Sequence, residues 1–379
     1  MADTRDNFKV CLVAPFPPRK GGVTVQTALL ARYLAEDGIE VLPVDTNLQS
    51  LRSRWLAPLR LLLQPWAVLF RLLKNVPKCS VVHFQAASYW GYMPIVIGVP
   101  VARLFGKRCV MSYQGGAGPK FMDRVPWLVK MPMRMCGAVA VCSDELRAGF
   151  AERGINAHLV KNVFDSALFK YRERPRVQPK IAWNRSMNDT YDPLSAVKAF
   201  EIVKQDYPDA TLVMTSDGPL TAAVKEYADQ NGLTGVTLTG RVPVQDVARV
   251  LDEADICLNT SRIDGLPTSL LEAAACGLPI VSTKAGGIPS LFEDGVSALL
   301  VEIGDYQAMA SAIIGLLKDP EKASRLGSAA RDVAMDYTWE RASRKLFQLY
   351  GIPESPEEND TTCGLPEDAH VEGEMHGSI

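Results

Sequence analysis

The chain has 379 residues, 47% of them hydrophobic, and a formal net charge of -2. That length exceeds one ordinary core, so two domains are the starting expectation, and the apolar share is that of a globular protein. The eight cysteines are scattered with no C-x-x-C pair, and Met1 to Asp6 holds no apolar stretch. Neither a zinc site, a disulfide framework nor a signal peptide is indicated, and the cytoplasm is the expected compartment.

In chain order, Val10 to Ala14 reads as a buried strand, Pro15 to Gly22 as a Pro/Gly loop and Val23 to Asp37 as an amphipathic helix. Gly38 turns the chain into a second strand, Glu40 to Val44, and Val81 to Phe84, Val110 to Tyr113 and Ala138 to Cys142 read as further strands of one sheet. Asn162 to Arg176 reads as a connection, after which the pattern restarts. Strands are predicted at Lys180 to Trp183, Ala210 to Met214, Val236 to Thr239, Ala254 to Asn259 and Leu278 to Ser282. Helices are predicted at Pro193 to Asp206, Leu220 to Gln230, Asp246 to Glu253 and Thr268 to Cys276, with a last one from Thr338 to Tyr350. Such alternation predicts α/β domains with parallel, doubly wound sheets. The predicted units are 1–165, 166–335, a helix over 336–350 and an acidic tail over 351–379. The tail lacks Lys and Arg and is rich in Glu, Pro and Gly, so disorder is expected there.

The small net charge hides an asymmetry. From Thr46 to Met122 there is no acid, while Arg52, Arg54, Arg60, Arg71, Lys74, Lys78, Arg103, Lys107, Arg108 and Lys120 all fall in that stretch. Trp55 to Leu73 is apolar but interrupted by Arg60, Pro65 and Arg71, and Met93 to Phe105 is short, so neither reads as a membrane span. With Trp55, Trp66, Tyr89, Trp90 and Tyr92 nearby, the region suits a peripheral surface on anionic lipid. Buried helices with a solvated basic face are the competing reading. No nucleic-acid motif accompanies the charge, so nucleic acid is not expected as a partner.

The densest chemistry lies in Asp264-Gly-Leu-Pro-Thr-Ser-Leu-Leu-Glu272, followed by a buried-type strand and the turn Gly286-Gly287. Pro267 suits the start of a helix because its missing N–H has no partner there. The N–H groups of Leu266, Thr268 and Ser269 would then form an anion site at the helix start. Glu272 lies a turn further in, and a carboxylate accepts from two hydroxyls of a diol at once. Asp264, before the turn, could hold sugar hydroxyls or an amide of the turn itself. Arg185 follows the first strand of the second unit, where a guanidinium can grip a diphosphate bidentately.

This segment resembles the signature of the retaining glycosyltransferases of family 4, the glycosyl transferases group 1, which have the GT-B fold: two Rossmann-like domains facing a cleft. Their pattern is E-G-x-P-x-x-x-x-E, with Asp264 standing here for the first Glu. The resemblance covers roughly residues 8 to 350 and is strongest over 180 to 340. It implies a metal-independent transferase moving a hexosyl-type sugar from a UDP- or GDP-linked donor to a glycan or lipid-linked acceptor, without a further cofactor. Arg185, Asp264 and Glu272 would carry catalysis, and Gly22, Arg185, Gly265, Leu266, Pro267, Thr268 and Glu272 would bind the donor. Gly21, His83, Gln114 and Gly115 would meet the acceptor or the sugar, and the helix over 336–350 would return to the first domain. Lys161 to Asp165 resembles the family's interdomain segment, with Asn162 as a cleft contact. Two departures stand out. Thr190 and Tyr191 occupy the place where the family has a second cation, for which Lys284 is a substitute worth examining. Gln114 stands where many members have His and cannot act as a general acid or base. Base recognition is expected from main chain around Gly240 to Val242. The rival readings are an epimerase or phosphorylase on the same fold, a non-catalytic nucleotide-sugar-binding partner in a glycan assembly complex, and a hydrolase using Asp264 and Glu272 as its pair.

Overall fold

The computed structural model describes residues 7–17, 22–47 and 57–353. Gly21, Arg52, Arg54, Trp55 and the acidic tail beyond Pro353 lie outside the described residues. Two six-stranded sheets, parallel throughout, form the molecule, as the alternation of elements predicts. The first holds β1 (Lys9–Ala14), β2 (Glu40–Asp45), β3 (Val81–Ala86), β4 (Arg108–Tyr113), β5 (Ala138–Val141) and β6 (His158–Leu159) in the order β2-β1-β3-β4-β5-β6. The second holds β7 (Lys180–Asn184), β8 (Thr211–Thr215), β9 (Val236–Gly240), β10 (Ile256–Asn259), β11 (Ile280–Thr283) and β12 (Leu299–Val301) in the order β12-β11-β10-β7-β8-β9. The strands β6 and β12, of two and three residues, are absent from the sequence expectation because runs that short carry no periodicity.

Both orders reverse once: beside β1 and β3 in the first sheet, beside β7 and β10 in the second. Connections leave on opposite faces at such a point and open a crevice at the carboxyl ends of the strands. The inner strands β1, β3, β10 and β11 are almost wholly buried because helices cover both faces, whereas β2 at the edge of the first sheet and β9 at the edge of the second are partly exposed. On one face of the first sheet, Val68, Leu72, Ile95, Val99, Val129 and Met133 of the helices Ala57–Asn75, Met93–Leu104 and Pro126–Met135 pack beneath β1, β3 and β4. The other face is covered by the helix Gly22–Glu36 and, from the far end of the chain, by Trp339–Tyr350.

That last helix joins the two halves. Leu346, Phe347 and Tyr350 are buried against the face of β1 that carries Val10 and Leu12. Trp339 stacks on Tyr33 with ring centroids 5.3 Å apart and donates its indole N–H to Asp37 at 2.8 Å; such an aromatic pair contributes about 0.5–1.5 kcal/mol beyond its buried area. Gly351, with φ 82°, ends the helix in the left-handed conformation that glycine adopts without strain. Among the described residues, no helix is long and apolar enough to cross a membrane.

Candidate active site between the two domains

The strand pair at the second reversal delivers the polar residues. β7 ends at Asn184 and hands on to Arg185, while β10 ends at Asn259 and leads into the signature turn and the helix Thr268–Ala275. Arg185 donates to Ser269 Oγ at 2.7 Å and forms an ion pair with the Asp264 carboxylate. Its guanidinium lies 4.0 Å from the centre of the Tyr191 ring, a cation–π contact. The two charged side chains are only 11% and 9% exposed, so water screens the pair little. Ser261 adds a hydrogen bond to Asp264 at 3.1 Å. The Nε of Arg185 is buried with no hydrogen-bond partner, a position that ordinarily costs free energy unless a ligand satisfies it.

The loop that carries Tyr191 is tied down on both sides. Thr260 Oγ1 donates to the Tyr191 carbonyl at 2.7 Å, and Arg262 pairs with Asp192 at 2.8 Å. Asp192, at φ 45°, caps the helix Pro193–Asp206 by accepting from Ser195 N–H. An aromatic ring thus lies against Arg185 where the family pattern has a second cation. Lys284 is not near that position: it pairs with Glu302 at 3.0 Å, half-exposed beside β12.

Glu272 is partly buried in the helix that follows the turn. Thr215 Oγ1 donates to Asn184 Oδ1 at 2.7 Å, which turns the Asn184 amide so that its Nδ2 donates to Glu272 Oε2 at 3.3 Å. Burial pushes the Glu272 carboxyl up to about 8; Arg185 pulls it down, Asp165 raises it further, and the Asn184 hydrogen bond lowers it. A buried carboxyl held this far above its ordinary range beside a guanidinium is a functional-site candidate.

Gly286 and Gly287 press the next loop onto the signature turn. Gly287 N–H donates to the Asp264 carbonyl at 3.0 Å, and a Cβ on Gly286 would lie 1.9 Å from that same oxygen. Only glycine allows this approach, and Gly286 also has φ 55°.

Between the domains lies a cleft of about 540 Å3. The second domain supplies Gly265, Leu266 and Thr268 to its wall; the first supplies Gly22, Gln26, Gln114 and Gly116, with Asn162 from the connecting segment. Of the expected contacts, Gly22, Gln114, Gly265, Leu266, Thr268 and Asn162 line this space, and Arg185, Asp264, Glu272 and Pro267 do not. Arg185, Asp264 and Glu272 sit behind the turn, whose outer edge faces the cleft. Gly115 lies over Ser88, and its neighbour Gly116 takes the place on the wall. His83 is 1% exposed, with Nδ1 2.5 Å from Tyr350 Oη and Nε2 2.9 Å from Ser112 Oγ. Burial lowers it to about 3, so the ring is neutral. It lines a small cavity of about 40 Å3 that it shares with Gln114, rather than the cleft. Gln114 donates to Gln85 Oε1 at 2.7 Å.

One positioning residue escaped the sequence reading. Gln26 donates to the Val163 carbonyl at 2.7 Å and accepts from the Val163 N–H at 3.0 Å. This reciprocal pair, with the Arg32–Asp165 ion pair at 2.6 Å, clamps the interdomain segment to the helix Gly22–Glu36. A lone Gln in an amphipathic helix gives no local sign of such a role. At the far edge, Ser216 (φ 101°) donates its N–H to the Gly240 carbonyl at 2.7 Å and Arg241 pairs with Asp217, shaping the segment expected to meet a base.

Residues 184–319 match the family model for glycosyl transferases group 1. Amylovoran biosynthesis glycosyltransferase AmsK of Erwinia amylovora is 35% identical over 162 residues, 41% of this chain and 40% of AmsK. A GDP-mannose-dependent phosphatidylinositol monomannoside mannosyltransferase of Mycolicibacterium smegmatis is 28% identical over 40% of this chain and 42% of the relative. The chain thus aligns with about two fifths of the length of these curated relatives. In three dimensions, Anabaena HepE solved with UDP superposes with a TM-score of 0.68 at 18% identity, covering 91% of this chain and 99% of HepE. Sucrose-phosphate synthase of Thermosynechococcus elongatus gives 0.67 over 91% and 98%. These likenesses establish the GT-B fold.

Proposed function

We propose, from a chain whose residues 184–319 match the model for glycosyl transferases group 1 and which has a GT-B fold, that the protein moves a sugar from a UDP- or GDP-linked donor to a glycan or lipid-linked acceptor with retention of configuration. The observation that carries this reading is the assembly of Arg185, Asp264 and Glu272 at the reversal point of β7 and β10, behind a turn that walls the cleft. The ribose diol binds Glu272, whose carboxylate form accepts both hydroxyls. The diphosphate takes the N–H groups of the turn and the unpartnered Nε of Arg185, and these donors stabilise the charge that develops as the sugar leaves, without a metal ion. Asp264 steers a sugar hydroxyl. The acceptor hydroxyl enters past Gly22 and Gln114, and the departing diphosphate takes its proton on the same face, so Gln114 need not titrate. The protein would work at the cytoplasmic face of a membrane in polysaccharide or glycoconjugate synthesis.

The test is release of nucleoside diphosphate from UDP- and GDP-sugars in the presence of extracted lipid and glycan fractions. Asp264→Asn and Glu272→Ala should each slow release by about two orders of magnitude or more, the usual loss when a transition-state contact is removed. Near-normal rates in both would refute the assignment. The different reading, a non-catalytic nucleotide-sugar-binding partner, is favoured by one observation: the second cation is replaced by Tyr191. It predicts nucleotide binding with no release from any donor.

A further inference from the structure

The helix Ala57–Asn75 carries apolar side chains on both faces: Val68 and Leu72 are buried in the core, while two of its polar groups, Gln64 and Arg71, turn inward to the Thr46 carbonyl at 2.6 Å and the Asp45 carbonyl at 2.5 Å, at the end of β2. Its outer stripe is Leu63, Trp66, Phe70 and Leu73, spaced one turn apart, with Trp66 69% and Phe70 71% exposed. The neighbouring helix Met93–Leu104 ends in exposed Leu104 and Phe105, and the next one, Pro126–Met135, shows Trp127 and Met131. These three helices form one layer, and most of the large apolar side chains exposed among the described residues lie on it or at its edge. A patch of that kind marks a binding surface. The cations Lys74, Lys78, Arg103 and Lys107 border it, and no acid occurs from 46 to 122.

Between the first two of these helices runs a groove of about 460 Å3, lined by Gln64, Pro65 and Val68 on one side and Met93, Pro94 and Ile97 on the other. It is mostly apolar, and Trp90, 81% exposed, stands at its mouth. Its inner end reaches Gly22 and Val23, which also line the interdomain cleft. The groove therefore joins the outer apolar face to the place where an acceptor would meet the donor.

We infer that this groove holds the hydrocarbon chain of an amphiphilic, anionic acceptor, a hydroxyl-bearing sugar carried on a lipid phosphate or diphosphate, drawn from a membrane on which the three-helix face rests. The inference rests on the transferase reading and names its acceptor class. The chain lies between Val68 and Ile97, and the anionic head lies toward Gly22 and Val23, where the groove meets the interdomain cleft. The bordering Lys and Arg give the face the sign that anionic headgroups require.

The experiment is calorimetric titration of the full chain with dodecyl phosphate below its micelle-forming concentration, with inorganic phosphate as competitor and UDP and GDP titrated in parallel. Dodecyl phosphate should bind, and inorganic phosphate should not displace it. Ile97→Trp narrows the groove; denying it to two methylene groups weakens binding by about tenfold. Trp90→Ala removes only an exposed ring, so it cannot fail through misfolding, and it should weaken the same binding while nucleotide affinity and melting temperature stay at wild-type values. Equal dodecyl phosphate affinity in all three proteins, or displacement by inorganic phosphate alone, overturns the inference. Nucleotide binding with no dodecyl phosphate binding overturns it too and leaves the transferase reading standing. Dodecyl phosphate binding lost in the variants, with no nucleotide bound by the wild type, supports the groove while sinking the transferase reading.

Discussion

Replacing Glu272 with Gln should stabilise the protein, and only at the alkaline side. The carboxyl is raised from an ordinary 4.5 to about 8 because its burial penalises the charged form more than Arg185 and Asn184 favour it. A group whose folded state holds its proton this tightly contributes fully below 4.5, and that contribution is lost as pH rises to about 8. The gap corresponds to at most about 5 kcal/mol, and solvent reaching the partly exposed side chain reduces this to about 2–3 kcal/mol. Gln has the shape of the protonated acid, can still accept from Asn184, and carries no charge to penalise. At pH 9, Glu272→Gln should therefore melt about 5–10 °C above wild type, taking about 2–4 °C per kcal/mol for a domain of this size. At pH 4.5 the two should nearly coincide. The assay is calorimetric melting of both proteins across that range, following the transition of the second domain. A difference that does not change with pH would refute the argument, since it would assign the effect to packing rather than to a buried charge.

Three other outcomes follow from the same geometry. Asp264 and a diphosphate compete for Arg185, so Asp264→Asn should bind nucleoside diphosphate at least as tightly as wild type while its transfer collapses; equal loss of both, by titration and turnover, would mean that Asp264 only holds the fold. Removing the Tyr191 ring in Tyr191→Ala forfeits a stack of about 0.5–2 kcal/mol and should weaken nucleotide binding about threefold to thirtyfold, with Tyr191→Phe close to wild type. Gly286→Ala drives a methyl into the Asp264 carbonyl and must displace the signature turn; loss of nucleotide binding with the first domain's melting transition intact is the expected result, read by titration and calorimetry.

The strands of both sheets that stand between long helices were legible because an apolar run bounded by Gly and Pro has few other places to go in an α/β chain. The turn residues were legible as a unit for a different reason: a turn between a strand and a helix can be recognised from local chemistry, and Asp264, Pro267 and Glu272 fall within one such strand–turn–helix. What the sequence hid was tertiary. Nothing near Tyr191 says that its ring will lie on Arg185, because the contact depends on Thr260 and Arg262 anchoring the loop from another strand. His83 looked like a strand-end residue open to the site, yet Tyr350, from the far end of the chain, closes over it. The stretch that forms the helix Ala57–Asn75 was read as an apolar, Arg-bearing run, either a peripheral surface on anionic lipid or a buried helix with a solvated basic face. Which of its apolar residues face outward was decided by Gln64 and Arg71 reaching back to β2.

The central claim is that the second domain binds a nucleoside diphosphate through Arg185, the signature turn and Glu272. The most direct measurement is calorimetric titration of the purified chain with UDP, GDP and ADP in the absence of divalent metal, repeated with Arg185→Ala. One nucleotide should bind at micromolar strength, and the variant should weaken it by about tenfold to a hundredfold, the loss expected for one charge-assisted hydrogen bond. Folded protein that binds none of the three, or an Arg185→Ala variant that binds as well as wild type, would contradict the account.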